Sequence, residues 1–369
     1  MKEGTFLSRL TGDLKARRQS YKELDAKSKR VWWSDFFVKY AIYIIIAGLV
    51  IYTQIYCMTS PKMTTSFLDF KSIIDILKRS SAALFLALGV GGIIVLTGTD
   101  LSAGRSMGLI ACIAASLLQK PVEVYAAKMF PNLTAQPIIL VLLLCMVVGG
   151  LIGMFNGFCV AQFKLHPFIV TMATMLMLNG AALLFIGLNN GGPISELIEP
   201  YKQAVKGTII IRGEAIPYYV FYSIVAVVIM WFMWNKTTLG KNMYAVGANP
   251  DAATVSGVSV MKTTILIFTV AGLLYGFSGF VESARIGSNS ASTGVNKELD
   301  AIAACVIGGV SFTGGTGKIS GIITGVILLN IIEIAMLWLG VPAEWTLLIK
   351  GFIVLVAVAL DMRKYLVRK

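Results

Sequence analysis

Residues 137–161 read PIILVLLLCMVVGGLIGMFNGFCVA, twenty-five positions without one Asp, Glu, Lys, Arg or His. As an α-helix rising about 1.5 Å per residue this stretch reaches roughly 37 Å, more than the roughly 30 Å of a bilayer's hydrocarbon. A helix that is apolar all round has no face for water, so lipid or protein must surround it. Similar runs recur along the chain and place helices near 40–58, 80–98, 104–119, 137–161, 166–188, 217–234, 263–282, 298–312, 319–339 and 344–361. The expected fold is an all-α integral membrane protein with about ten transmembrane helices, some of them discontinuous.

Whole-chain composition agrees. Charged residues make up 14% of the 369 and apolar ones 56%, against about 25% charged in soluble domains. The formal charge of +13 would suit a nucleic-acid partner, but the lysines and arginines gather at the termini and between apolar runs, where they act as orientation signals. Nucleic acid is therefore excluded and membrane lipid is the expected surround. An even number of crossings puts both termini on one side. Both are basic, from Lys2 to Arg30 and from Arg363 to Lys369, which makes that side cytoplasmic. Residues 1–35 are read as a polar cytoplasmic extension and not a cleaved signal peptide, since no short apolar core with a cleavage site follows. Residues 36–369 form the transmembrane domain, with outer loops at 189–216 and 283–297. Phe67, Phe70, Ile73, Ile74 and Leu77 recur at helical spacing among charges. This amphipathic stretch either lies at the outer interface or continues the second helix.

Several chemistries fail on inspection. Cys57, Cys112, Cys145, Cys159 and Cys305 show no paired spacing and read as small buried hydrophobes. The one histidine, His166, stands before Pro167 at a helix entry, so neither a histidine metal site nor a Ser/His triad can be assembled. TGGTGKIS (313–320) suggests a phosphate loop, but Phe312 stands where its first glycine belongs and Ile319 replaces the magnesium-binding hydroxyl. The chain is expected to be no enzyme, to bind no metal and to hold no cofactor.

What remains points to a solute path. GTDLSAGR (98–105) and GGVSFTGGTGK (308–318) interrupt the helical pattern with glycine and small polar residues. Such backbone survives at depth only when buried in protein or lining a watery cavity; the second segment also reads as a plain cytoplasmic loop. Thr97, Asp100, Asn156, Thr171, Thr174 and Asn179 are the candidate path residues, with local hydrogen bonding inside the bundle as the alternative. Asp100 is expected to be satisfied by neighbouring backbone donors at the start of the third helix, a structural task preferred over sugar contact. Gly149, Gly153 and Gly157, Gly272 with Gly276, and Gly317, Gly321 and Gly325 form ladders that read as close helix seams inside the bundle. Glu333 and Lys350 fall at the same depth on consecutive antiparallel helices and are expected to form a structural ion pair, with snorkelling of Lys350 past Trp345 as the alternative.

The longest cytoplasmic connection, 235–262, holds a short helix. Asn249 caps it, Pro250 takes its first position, Asp251 meets the positive end of its dipole, Ala252, Ala253 and Val255 give a small apolar face, and Ser256 leads to the stop at Gly257. A helix this short needs something to hold it, most simply a partner protein.

Taken together, TGTDLSAGR (97–105), GANPDAATVSGV (247–258) and ELDAIAACVIGGVSFTGGTG (298–317) resemble the permeases of bacterial ATP-binding-cassette importers for monosaccharides, and within them the methyl-galactoside branch serving galactose and glucose. The resemblance covers about residues 70–365. It implies a homodimer in the bacterial cytoplasmic (inner) membrane, cytoplasmic ATPase subunits carrying ATP and magnesium, and an extracytoplasmic sugar-binding protein, with residues 249–257 as the coupling helix. The N-terminal extension is longer than the resemblance implies. Two rivals stay open. One is a related permease for a pentose, a nucleoside or another small polar ligand. The other is an ion-coupled secondary transporter, for which Glu333 is the one ionisable candidate well inside a helix.

Overall fold

A computed structural model describes residues 44–59, 66–120, 128–130, 132–188 and 192–366. The N-terminal extension and the last basic residues, Arg368 and Lys369, lie outside this range. The chain divides into two compact units, 1–48 and 49–369; of the first only 44–48 are described, and they are helical.

The helices are α1 (Ile44–Thr59), α2 (Phe70–Val95), α3 (Ala103–Leu117), α4 (Ile138–Phe163), α5 (Pro167–Gly187), α6 (Glu199–Lys206), α7 (Tyr218–Lys236), α8 (Thr238–Ala248), α9 (Pro250–Val255), α10 (Val260–Ile286), α11 (Lys297–Ile307), α12 (Ile319–Trp338) and α13 (Ala343–Leu366). Among the described residues five helices are long and apolar enough to cross a membrane: α4, α5, α7, α10 and α12. α1 and α3 are apolar but shorter. α11 has 11 residues, about 16 Å at 1.5 Å per residue, and so is a half-helix. The apolar run 298–312 looked longer because it continues past Gly308 and Gly309, where the helix stops: the Gly308 N–H closes the last turn onto Ala304 O, and Gly309 takes φ 83.

Of the two readings of the amphipathic stretch, continuation of the second helix is the one observed: from Phe70 it forms the first turns of α2, whose N-terminus Asp69 caps from its side chain. The fold is not all-α as expected: Thr208–Ile211 (β1) and Glu214–Pro217 (β2) pair antiparallel around Arg212 and Gly213, both at positive φ, as a two-residue type I′ hairpin requires. The segment 287–296 is no free loop. Asn289 bridges to Ile194, and Thr293 and Gly294 press their backbone against Gly108 and Gly104 of α3.

Glycine ladders form the main seams, as the spacing predicts. A Cβ at Gly149, Gly153 or Gly276 would collide with a backbone carbonyl on the facing helix, so α4 and α10 meet backbone to backbone. Gly321 and Gly325 do the same for α12 against Gly308 and Ala304. At the end of the molecule remote from α9, Lys202 and Lys120 contact Glu199 at 3.0 and 3.1 Å; both hold its carboxyl below the usual range.

Candidate functional site

α9 has six residues and is held by its caps. Asn249 Oδ1 accepts from the N–H groups of Asp251 and Ala252, each at 3.0 Å. At the other end the Gly257 N–H reaches Thr254 O and the Val258 N–H reaches Ala253 O, with Gly257 at φ 81. These two bonds close a helix end that glycine tolerates and a Cβ would strain. Ser256 returns its hydroxyl to Ala252 O at 2.9 Å.

One orientation differs from expectation. Ala253 is turned into the chain and buried, while Asp251, Ala252, Thr254 and Val255 face outward. Part of what holds the short helix is therefore the chain itself. α8, absent from the sequence reading, supplies the base: Thr237 caps it through Gly240 N, and Trp234 meets Tyr244 edge to face at 5.9 Å.

A second constellation surrounds the interruption between α2 and α3. Thr174 donates to Asn156 Oδ1 at 2.6 Å, Asn156 Nδ2 to Ser102 Oγ at 2.9 Å, and Ser102 Oγ to Asp100 Oδ1 at 2.6 Å. The Ser102 N–H joins the same Asp100 oxygen at 2.9 Å. Thr171 Oγ1 accepts from Leu101 N and donates to Thr99 O. All five side chains are buried. The other Asp100 oxygen lies beside the Tyr275 hydroxyl and lacks a well-formed hydrogen bond. Apart from that oxygen, the network spends its hydrogen bonds internally and ties the break to α4 and α5. Thr97 stands apart, exposed at φ 63 with its hydroxyl on Leu96 O; Asn179 stands half-buried on α5. Ser102, central to the network, was not singled out in the sequence, where it is one more small residue before a helix.

Both interruptions meet the base of α9. The Gly315 N–H donates to Val95 O at 2.9 Å. Gly247 lies against that same carbonyl, and Gly314, at φ 80, packs on Thr97 and Gly247 O. A Cβ at Gly247 or Gly314 would collide with backbone.

A third cluster joins three helices. Lys350 of α13 donates to Glu333 of α12 and, at 2.9 Å, to Asp300 of α11. Lys297 lies 3.7 Å from the other Asp300 oxygen. The sequence reading named Glu333 and Lys350; Asp300 joins them because α11 packs beside both helices. Among the described residues no group of three or more His, Cys, Asp or Glu side chains could hold a metal ion.

The family described as branched-chain amino acid transport system / permease component matches residues 72–358. The galactose/methyl galactoside import permease protein of Escherichia coli (strain K12) is 40% identical over 330 residues, covering 89% of this chain and 95% of that protein. Its counterpart in Salmonella typhimurium is 39% identical, over 94% and 99%. The ribose import permease protein of Bacillus subtilis (strain 168) is 31% identical, over 93% and 98%. No solved structure matches the chain.

Proposed function

We propose that this chain, which belongs to the branched-chain amino acid transport system / permease component family, imports a galactose-type monosaccharide as the membrane-spanning subunit of an ATP-binding-cassette assembly. The family name mentions amino acids, yet the relatives named above act on sugars by name. The higher identity to the galactose/methyl galactoside permeases, 40% against 31% for the ribose permease, supports the hexose over the pentose.

In this reading two copies of the chain sit in the bacterial inner membrane, each crossing it about ten times with both termini in the cytoplasm. ATP and magnesium belong to the partner ATPase, and a soluble sugar-binding protein delivers the substrate outside. α9 is the coupling helix, with Asn249, Pro250, Asp251, Ala252, Ala253, Ser256 and Gly257 shaping it. Asp100, Asn156, Thr171 and Thr174 lock the helix break more than they touch sugar, and the contacts of Lys350 with Glu333 and Asp300 fasten the last helices.

One observation carries the coupling role: Val255 is 90% exposed at the end of a capped six-residue helix. An apolar side chain that exposed on a rigid tip fits a pocket on another protein. Val255→Asp in the reconstituted assembly should lower ATP-driven galactose uptake about tenfold or more, the effect of losing roughly 1.4 kcal/mol at a contact, with membrane insertion unchanged. Wild-type uptake in that variant would overturn the role of α9. Uptake that persists without the ATPase and follows a proton or sodium gradient would favour the secondary transporter.

A further inference from the structure

A cavity of about 270 Å³ opens among α2, α3, α10, α11 and α12. It occupies the half of the helical unit away from α9. Its α2 lining runs from Arg79 to Ala87, ending eight positions, about 12 Å, before the Val95 carbonyl on which Gly247 rests. Five alanines of α2 and α11 make the room, and the polar lining comes from Arg79, Glu282, Arg285, Lys297, Asp300, Asn330 and Glu333.

Each carboxylate in this cavity is already paired with a cation. Glu282 takes both arms of Arg285, each at 2.6 Å, and Asp300 and Glu333 share Lys350. A bare cation entering would meet Arg79, Arg285 and Lys297, and a bare anion would meet three carboxylates, so neither finds a net countercharge in the lining. Neutralised carboxylates still offer free lone pairs, and the guanidinium groups offer further N–H donors. Asn330, more than nine-tenths buried, spends its Nδ2 on Val326 O at 2.9 Å, which leaves its carbonyl oxygen as an acceptor. Arg79 makes no ion pair among the described residues. Alternating donors and acceptors around a small, net-neutral space suit a compact neutral ligand with hydroxyls on every side. The volume lies just below the roughly 300–1,000 Å³ of sites for drug-sized ligands, which fits a single sugar ring.

We propose that this cavity is a monosaccharide subsite within the single chain, where the sugar is held between the Glu282–Arg285 pair and Asn330. The inference rests on the reading of the chain as a galactose-type permease and adds to it where the sugar sits.

The test uses the full assembly with its ATPase and binding protein in vesicles. Ala83→Cys places a thiol on the cavity wall for a small hydrophilic methanethiosulfonate reagent, and the unsubstituted chain gives the background of its own five cysteines. Saturating galactose or methyl galactoside should slow labelling about tenfold, whereas leucine, a zwitterion of similar bulk, should leave the rate unchanged. Asn330→Leu should raise the half-saturating sugar concentration about fivefold, the effect of one lost hydrogen bond of about 1 kcal/mol. Galactose uptake by the wild-type assembly with labelling that sugar does not slow, or that leucine slows instead, would overturn the subsite alone. A wild-type assembly that imports no galactose would overturn the substrate reading and the subsite with it.

Discussion

Replacing Lys350 by Met keeps the side chain's length and removes its charge. In the structure Lys350 is 14% exposed, and Asp300 and Glu333 are 29% and 25% exposed. Both carboxylates touch one ammonium, so their nearest oxygens stand no more than about 5 Å apart, and at an effective dielectric constant of about 20 their unshielded repulsion is at least roughly 3 kcal/mol. That agrees with the roughly 3–5 kcal/mol for breaking a buried pair from one side. Lys297, 3.7 Å from Asp300, returns a part of this, so we expect Lys350→Met to cost about 3 kcal/mol. Glu333→Gln leaves the contact between Lys350 and Asp300 in place and should cost about 1 kcal/mol. The double variant leaves one carboxylate, still beside Lys297, and should be more stable than Lys350→Met alone by about 1–2 kcal/mol. Thermal unfolding of the detergent-solubilised chain, read as retained monodispersity, should place the midpoints in the order wild type, Glu333→Gln, double variant, Lys350→Met. A Lys350→Met chain as stable as wild type, or a double variant no better than it, would refute the cluster's role.

Three further outcomes are expected. Gly272→Val must push α10 away from the Gly149 carbonyl and should abolish a monodisperse chain, while Gly180→Ala, whose added Cβ meets nothing within 4 Å, should be silent in the same size-exclusion assay. Asn156→Leu strands the Thr174 hydroxyl, removes the donor to Ser102 Oγ and should destabilise the chain by about 2–3 kcal/mol in thermal unfolding; Thr171→Val should show a smaller loss. Asn249→Ala removes both cap bonds of α9, worth about 1 kcal/mol, and should reduce ATP-driven uptake while leaving the unfolding midpoint of the bundle in place.

The long helices were legible because lipid leaves the backbone no partner but itself, so an uncharged run such as 137–161 has one solution. The break at 98–102 was legible for the converse reason: GTDLS has too little apolar surface to stay in lipid, and its Gly, Thr, Asp and Ser are all poor helix formers. The hairpin 208–217 carried its signal in Arg-Gly between short apolar runs, but two-stranded pairs are marginal alone and the run is four residues long. α8 was missed because Gly240 and Gly247 lower its helix propensity; its buried face is Met243 and Val246, so packing and not local sequence makes it helical. Likewise the sequence shows that α9 has an apolar face but not which part its own chain covers, and so Ala253 was read as outward. Asp300 was quoted as part of a motif without a role, since its partners come from helices α12 and α13.

The break between α2 and α3 is held on two sides by different physics. On one side the chain of hydrogen bonds from Thr174 through Asn156 and Ser102 to Asp100 fixes it to α4 and α5, and consecutive buried hydrogen bonds reinforce one another. On the other side Val95 O meets Gly247 and Gly315 with no side chain between them. Gly247 precedes the cap of α9 by two residues, so a partner that displaces α9 pushes on the carbonyl at the end of α2 through backbone alone. Close-packed backbone has no soft rotamer to absorb such a push. The displacement must then either move α2 against the anchored network or open the junction at Gly314 and Gly315, and both responses act on the helix break.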